Sequence, residues 1–199
     1  MIAGVCPAYL PNIQFMSWII MQKKVAFVTH NTYQKQTFRN RTEIYGANGK
    51  LKLSIPIVHK KDKSHQIDKE VKIHYGNGWQ KDHWKSLEAS YRSSPFFEFY
   101  EDDFHPFYHQ KFDKLMQFNL ALIEKILSLI EADIQILNDE KEVEEFSNLI
   151  IAKNQSEQKT PSYRQVFESK HGFIHNLSIL DLLFNLGPQS LDYLIEFNQ

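Results

Sequence analysis

The chain opens with short apolar runs separated by a proline-containing loop and an amphipathic segment. Residues 2–5 and 25–28 have the length and composition of buried strands, and residues 13–22 carry apolar side chains at helical spacing. Two strands joined by a helix are expected to lie parallel in one sheet. The pattern predicts an α/β fold with a βαβ opening. The loop holding Pro7 and Pro11 would then lie at the carboxyl end of the first strand, where open α/β sheets bind ligands.

The remaining pattern divides the chain into a strand-rich and a helical part. A second alternating run at 51–58 follows an Asn-Gly turn signal, and a short strand is predicted at 71–75. We predict one domain over 1–199, with a small mixed or parallel sheet in a strand-rich part at 1–75 and a mainly helical part at 76–199. The predicted helices cover 79–92, 106 to about 132, 178–185 and 190–197, with a shorter helix starting within 139–148.

Composition and charge narrow the class of function. The net charge of −1 and the pI near 6.8 create no overall field that would gather nucleic acid, so binding of DNA or RNA is not expected. The single cysteine, Cys6, excludes an internal disulfide and a thiolate zinc cluster. No window reaches the roughly 18 apolar residues of a membrane helix, and no cationic region precedes the first apolar stretch. We therefore predict a cytoplasmic protein without a membrane span.

The loop between the predicted strands at 25–28 and 51–58 holds the densest group of cationic and amide side chains in the chain. Arginine and amide groups bind phosphate or carboxylate oxygens in fixed orientations, and lysine adds a point charge. The alternative is a solvated rim of surface charges, whose pairs contribute only roughly 0–1 kcal/mol. The group predicts a site for a small anionic ligand, and it consists of Lys35, Gln36, Arg39, Asn40 and Arg41.

A second cationic and aromatic group belongs to the predicted helix at 79–92. Trp84 and Lys85 could hold a sugar or base ring together with its negative charge. The alternative places Trp79 and Trp84 in the core and leaves His83 exposed. If both cationic groups faced one cleft, the ligand would be a ring that carries an anion.

Motifs for several other chemistries are missing from the sequence. There is no nucleophile elbow, no Walker loop and no Rossmann glycine fingerprint, and we name no cofactor. His105 and His109 have the i, i+4 separation of a helical metal pair, but no HExxH pattern accompanies them, so we predict no metal site. The aromatic run at 96–100 is expected in the core or, alternatively, in a pocket wall.

Short motifs are distributed over nearly the whole chain. In the first part they are Pro7-Ala-Tyr-Leu-Pro11 with Phe15, the run from Tyr33 to Arg41, and Gly49 through Pro56. In the second part they are Trp84, the run from Tyr91 to Phe97, Asn119 to Ile123, Gln165 to Phe167, Gly172 with Phe173, and Asn176 to Phe184. Together they resemble the WbqC-like family, in the shorter form seen in Bacteroidetes.

The resemblance implies a bacterial cytoplasmic protein encoded among surface-polysaccharide or O-antigen genes. It suggests a transferase that moves an acyl, aminoacyl or nucleotidyl group and acts on a phosphorylated or nucleotide-linked sugar. Many members have an acidic pair where this chain has Thr29-His30, and His-Gln where it has Val5-Cys6, so a carboxylate that could act as a base is missing there. The opening also resembles the nucleotidyltransferase fold, in which the N-terminus of the first helix binds triphosphate.

Two hypotheses follow for the function. In the first, the protein is a transferase whose arginines clamp the phosphate of a small anionic ligand such as a nucleotide sugar. In the second, it is a non-catalytic interaction or scaffold protein, in which the arginines bond to carboxylates such as Glu43 and the aromatic run at 96–100 binds a partner. The residues assigned to ligand binding are Tyr9, Gln36, Arg39, Asn40, Arg41, Trp84 and Lys85, and those assigned to catalysis are Lys35 and a general base at His30 or His83.

Overall fold

The computed structural model describes residues 2–59, 66–138, 143–152 and 160–197. Six strands lie in these ranges: β1 (Ile2–Val5), β2 (Lys24–Phe27), β3 (Arg41–Gly46), β4 (Gly49–Ser54), β5 (Gln135–Asn138) and β6 (Val143–Glu145). Four of them form a parallel sheet in the order β5-β2-β1-β6, and β3 and β4 form a separate antiparallel hairpin. The architecture is mixed α/β, which confirms the predicted fold class.

The βαβ opening is present in the parallel sheet. Helix α1 (Ile13–Ile20) connects β1 to β2, and Val5 lies opposite Phe27 in the paired register. The side chain of Asn12 caps α1 by accepting a hydrogen bond of 2.9 Å from the backbone N–H of Phe15. Because β2 and β6 lie on opposite sides of β1, the direction of the connections changes at β1, a position where α/β sheets often hold ligands.

The hairpin is positioned by a tight turn. Residues 41–46 pair with residues 49–54, and Gly49 adopts φ +95°, which glycine tolerates without strain. The predicted strand at 51–58 ends earlier, at Ser54, shortly before Pro56, which has no N–H for pairing. The strand predicted at 71–75 is wrong, because that segment pairs only through isolated bridges at Lys72 and Ile73.

Seven α-helices lie in the described residues: α1, α2 (Trp79–Tyr91), α3 (Phe97–His109), α4 (Leu115–Leu129), α5 (Glu168–His171), α6 (Ile179–Leu186) and α7 (Ser190–Glu196). The single helix predicted from 106 to about 132 is wrong, since two helices occupy 97–129. The prediction used Pro106 as a helix start, but Pro106 lies in the last turn of α3. The buried side chains Phe97, Tyr100, Phe104 and Tyr108 provide the apolar face that stabilises this helix.

The segment at 139–148 was predicted to start a helix, and this is wrong for its described part. Residues 143–145 form β6, which pairs in parallel with β1, and a short 3₁₀ helix covers Ser147–Ile150. Residues 139–142 lie outside the described residues. Two strands of the sheet therefore come from the part of the chain that was predicted to be mainly helical.

One hydrophobic core joins the sheet, the hairpin and the helices, and the C-terminal part of the chain completes it. The N–H of Ile13 donates to the carbonyl of Leu177 (3.0 Å), and the N–H of Ser178 donates to the carbonyl of Glu43 (2.8 Å). Asp181 on α6 is fully buried and accepts hydrogen bonds from Tyr163 and from Gln165. Among the described helices, none has both the length and the apolar character needed to cross a membrane.

Candidate functional site

The first cleft is a cavity of about 560 Å³ beside the entry to the hairpin. The loop after β2 forms one wall, and the ends of β3 and β4 form the other. Its volume lies within the range of small-molecule sites. Its polar lining residues are Tyr33, Lys35, Gln36, Asn40, Arg41, Ser54, His59 and Asn77, and its apolar ones are Ile55, Pro56 and Ile57.

Hydrogen bonds fix the loop that carries the predicted anion-binding residues. The side-chain amide of Asn40 donates to the carbonyl of Ile55 (2.9 Å), and the N–H of Ile55 donates back to the carbonyl of Asn40 (2.7 Å). The N–H of Phe38 donates to the carbonyl of Ile150 (2.8 Å). Gln36 adopts φ +60°, a strained left-handed conformation for a residue with a side chain. The loop is thus held in one shape around the cleft.

The two cations of the first cleft are unpaired. Lys35 is exposed and Arg41 is half-buried, and neither side chain forms a hydrogen bond or an ion pair with any residue in the described ranges. The nearby carboxylate of Glu43 is already occupied, because Lys50 lies 2.9 Å from it. A phosphate or carboxylate would therefore meet two cations without a competing carboxylate.

Arg39 lies outside the first cleft, under the loop. It is 2% exposed, and its Nε is 2.9 Å from Oδ1 of Asp68, which is also fully buried. Burial raises the pKa of the Asp68 carboxyl, although the Arg39 guanidinium opposes this shift. The carbonyl of Arg39 accepts a hydrogen bond of 2.7 Å from Asn119. These contacts engage Arg39 in the core, whereas the sequence assigned it to phosphate.

Cys6 is next to the same buried pair. Its Sγ lies 3.4 Å from Oδ2 of Asp68. Burial raises the pKa of the Cys6 thiol well above its usual value, and the neighbouring Asp68 raises it further. The thiol is therefore protonated at neutral pH and is a poor nucleophile. Tyr33, whose pKa burial raises to about 12, interacts electrostatically with this cluster and also lines the first cleft.

Tyr9 and His83 belong to a buried hydrogen-bonded chain. The hydroxyl of Tyr9 lies 2.8 Å from Nδ1 of His83 and 2.9 Å from the hydroxyl of Tyr108. Burial lowers the pKa of His83 to about 4, against a backbone hydrogen bond with Ser54 that raises it. His83 is therefore neutral at pH 7, and the expectation that it is exposed is wrong, since it is 5% exposed.

Trp84 and Lys85 line a second cleft, of about 620 Å³. The two clefts share no lining residue, although Asn77 of the first and Gly78 of the second are adjacent in the chain. The two predicted groups therefore do not face one common cleft. Trp84 itself is largely buried, as the packing alternative expected.

His30 and the N-terminus of α1 are not brought into either cleft. His30 follows β2 and is exposed, and it does not contribute to the lining of the first or the second cleft. In the first turn of α1, the N–H of Ile13 donates to Leu177 and that of Gln14 donates to the side chain of Asn176 (2.9 Å). This helix end is already capped by protein, so it does not offer the free donors that a nucleotidyltransferase-like triphosphate site requires.

The sequence reasoning missed His59, Ser54, Asn77 and Tyr33 as lining residues of the first cleft. His59 directly follows the apolar run at 51–58. Its position at the end of a predicted strand was a weak signal that it contributes to a site. Within the described ranges, no three His, Cys, Asp or Glu side chains converge as metal ligands. His105 and His109 stack on each other with ring centroids 3.6 Å apart.

The sequence was compared with protein families and with known proteins. The model of the WbqC-like protein family matches residues 6–157 and 138–193. This chain belongs to the WbqC-like protein family. It is 26% identical over 218 residues to "Uncharacterized protein Rv1507c" of Mycobacterium tuberculosis, and the match covers 94% of both chains. No solved structure matches the chain at a significant level.

The motifs that carry the WbqC-like resemblance have different structural roles. The run from Tyr33 to Arg41 forms the loop of the first cleft. The motif at 7–11 leads from β1 to the capped start of α1, and the motif at 176–184 supplies that cap and helix α6. The run from Tyr33 to Arg41 and the end of the motif from Gly49 through Pro56 thus line the first cleft together.

Proposed function

We propose that this WbqC-like protein is a transferase of bacterial surface-polysaccharide biosynthesis, of the O-antigen type, and that it binds a phosphorylated or nucleotide-linked sugar in the first cleft. The family membership supports the biological setting, and the cleft supports the ligand class. The observation that carries the proposal is a cavity of about 560 Å³ lined by Lys35 and Arg41, whose side chains have no ion-pair partner among the described residues. An anionic ligand of sugar-phosphate size satisfies both.

Each lining residue has a role that its geometry allows. Arg41 binds the phosphate through its planar guanidinium, and Lys35 neutralises charge that develops on the ligand during transfer. Asn40 uses its amide N–H₂ on Ile55, which leaves its side-chain oxygen to accept from a ligand hydroxyl. Gln36 adds a donor on the strained part of the loop.

The general base of the proposed reaction is His59. It is exposed and contributes to the first cleft, so it can reach a hydroxyl of a bound acceptor. His30 and His83 lie outside the lining of this cleft, and the proposal gives neither of them a direct role. The transferred group is an acyl, aminoacyl or nucleotidyl group.

A thermal-unfolding screen tests ligand binding directly. Purified protein is heated with UDP-glucose, GDP-mannose, glucose 1-phosphate or UDP, each over a concentration series. A ligand at 100 times its dissociation constant stabilises the folded state by about 2.7 kcal/mol, which for a chain of this size raises the melting temperature by roughly 5–10 °C.

Two arginine variants control the screen. Arg41→Gln removes the stabilisation, whereas Arg164→Gln, which removes an exposed arginine outside both clefts, keeps it. No stabilisation by any of these compounds, with a normal melting transition, would overturn the proposal and favour the non-catalytic interaction protein. Stabilisation that survives in Arg41→Gln would place the ligand elsewhere.

A further inference from the structure

The second cleft is lined by lysines that have no part in the first cleft. Three exposed lysines, Lys81, Lys85 and Lys111, contribute to its lining, and none of them forms an ion pair in the described part of the chain. The carboxylate in the lining is Glu88, and Arg92 already pairs with it at 2.8 Å. The cleft therefore presents three ammonium groups without an ion-pair partner in the described part of the chain, and a carboxylate that is already neutralised.

The lysines converge because of the secondary structure. Lys81 and Lys85 are four residues apart on α2, so they lie on the same face of the helix. Lys111 follows α3, and its ammonium group lies 5.4 Å from the centroid of the Tyr75 ring. Two elements that are distant in sequence thus supply charge to one cavity.

The floor of the second cleft is aromatic. Trp79, Trp84 and Tyr108 line it and are largely buried, and Tyr75 is half-buried at its edge. The indole N–H of Trp79 is buried and has no hydrogen-bond acceptor among the described residues. This donor is closed off from solvent, so the floor offers a ligand the surfaces of its rings rather than a hydrogen bond.

We infer that the second cleft is a separate binding site for an anionic sugar, in which the lysines hold a phosphate or carboxylate and the aromatic floor packs against the ring. The site is distinct from the first cleft, because the two clefts share no lining residue. It requires no ligand in the first cleft, so it stands or falls independently of the proposed function.

Tryptophan fluorescence reports on this site. Of the three tryptophans, Trp79 and Trp84 line the second cleft, and Trp18 packs on Phe146 with ring centroids 4.8 Å apart. Trp18→Phe therefore removes the reporter that is not part of the site. The background also carries Arg41→Gln, which disables the first cleft, and the probes are glucose 1-phosphate, glucuronate, glucose and inorganic phosphate.

The inference expects a saturable fluorescence change with glucose 1-phosphate and with glucuronate. Affinity falls by about tenfold or more in Lys81→Gln/Lys85→Gln, because two charge-assisted contacts are lost. Lys24→Gln, which removes one lysine charge at the start of β2, outside the cleft, leaves affinity unchanged. Glucose and inorganic phosphate bind at least about tenfold more weakly than glucose 1-phosphate, since each provides half of the contacts.

Three results would overturn the inference. The first is a fluorescence response that requires Arg41, which would mean that the sugar phosphate binds only in the first cleft. The second is the absence of a saturable response to any probe in folded protein. The third is equal affinity for inorganic phosphate and glucose 1-phosphate, because the aromatic floor would then contribute nothing.

Discussion

Arg39 and Arg41 are two residues apart, yet they lie in opposite environments. Arg39 is buried against Asp68, whereas Arg41 lines the first cleft without an ion-pair partner in the described ranges. The residue type and the local sequence do not distinguish them. A carboxylate 29 residues away does, because it draws one guanidinium into the core and leaves the other to a ligand. A dense group of cations in a sequence is therefore a mixture of structural and binding residues.

The largest expected effect comes from breaking the buried pair. Arg39→Ala leaves Asp68 as an uncompensated buried charge, so the free energy of unfolding falls by about 3–5 kcal/mol. Arg41→Ala changes it by no more than about 0.5 kcal/mol, because no ion pair or side-chain hydrogen bond among the described residues is lost. Guanidinium unfolding of both variants measures the difference. Equal losses in the two variants would erase the distinction between the arginines.

The buried carboxyl of Asp181 provides the next comparison, because it has no ion-pair partner among the described residues, whereas Asp68 pairs with Arg39. Burial raises the pKa of Asp181 to about 6, against hydrogen bonds from Tyr163, Tyr91 and Gln165 that lower it. The folded state then binds the proton more tightly than the unfolded state. This tighter proton binding stabilises the folded state fully below about pH 4. As the pH rises from about 4 to about 6 the stabilisation is lost, and the free energy of unfolding falls by about 3 kcal/mol in total.

The matched variant for this prediction is Asp181→Asn, which does not titrate. The difference in the free energy of unfolding between the wild type and the variant should fall by about 3 kcal/mol between pH 4 and pH 7. Urea unfolding at several pH values gives this difference and cancels the titration of the other groups. A difference that is constant across this range would show that Asp181 stays ionised in the fold.

A conservative change at Arg41 has a smaller effect and tests how the cleft binds its ligand. Arg41→Lys keeps the charge but loses the planar guanidinium, so affinity for a phosphorylated ligand should fall about tenfold. Isothermal titration calorimetry with the compound that stabilises the wild type most measures this loss. Full retention of affinity would mean that Arg41 acts only as a point charge.

The smallest expected effect concerns the strained residue of the loop. Gln36→Gly relieves the φ of +60°, so the free energy of unfolding should rise by about 0.5 kcal/mol. Gln34→Gly is the matched control, because Gln34 is not among the residues with positive φ. The free energy of unfolding of this control should fall by about 0.5 kcal/mol, since glycine only adds flexibility to the unfolded chain there. Thermal unfolding compares them. A loss of stability in both would show that residue 36 is not strained.

The parts of the fold that the sequence predicted well are those with local signals. The apolar runs of β1 and β2, the Asn-Gly turn of the hairpin and the spacing of α2 all lie within a few residues of their predicted bounds. Strand β6 was missed because Val143–Glu145 is a short, charged segment that becomes a strand only by pairing with β1.

The candidate site likewise contains residues that the sequence could predict and residues that it could not. Lys35, Gln36, Asn40 and Arg41 were predicted from their density and do line one cleft. The burial of Arg39 and of His83 could not be predicted, because their partners Asp68 and Tyr9 are distant in sequence. His59 and Asn77 join the cleft for the same reason, through segments that meet only in the folded chain.

The capped start of α1 has a consequence for synthesis on the ribosome. The N–H of Gln14 bonds to Asn176, 162 residues later in the chain. While the chain is being made, the first strand and helix emerge early, but the groups that accept from the N–H of Ile13 and of Gln14 do not yet exist. Because such long-range contacts form slowly, the N-terminal unit remains incomplete and open to chaperones until the last part of the core has left the exit tunnel.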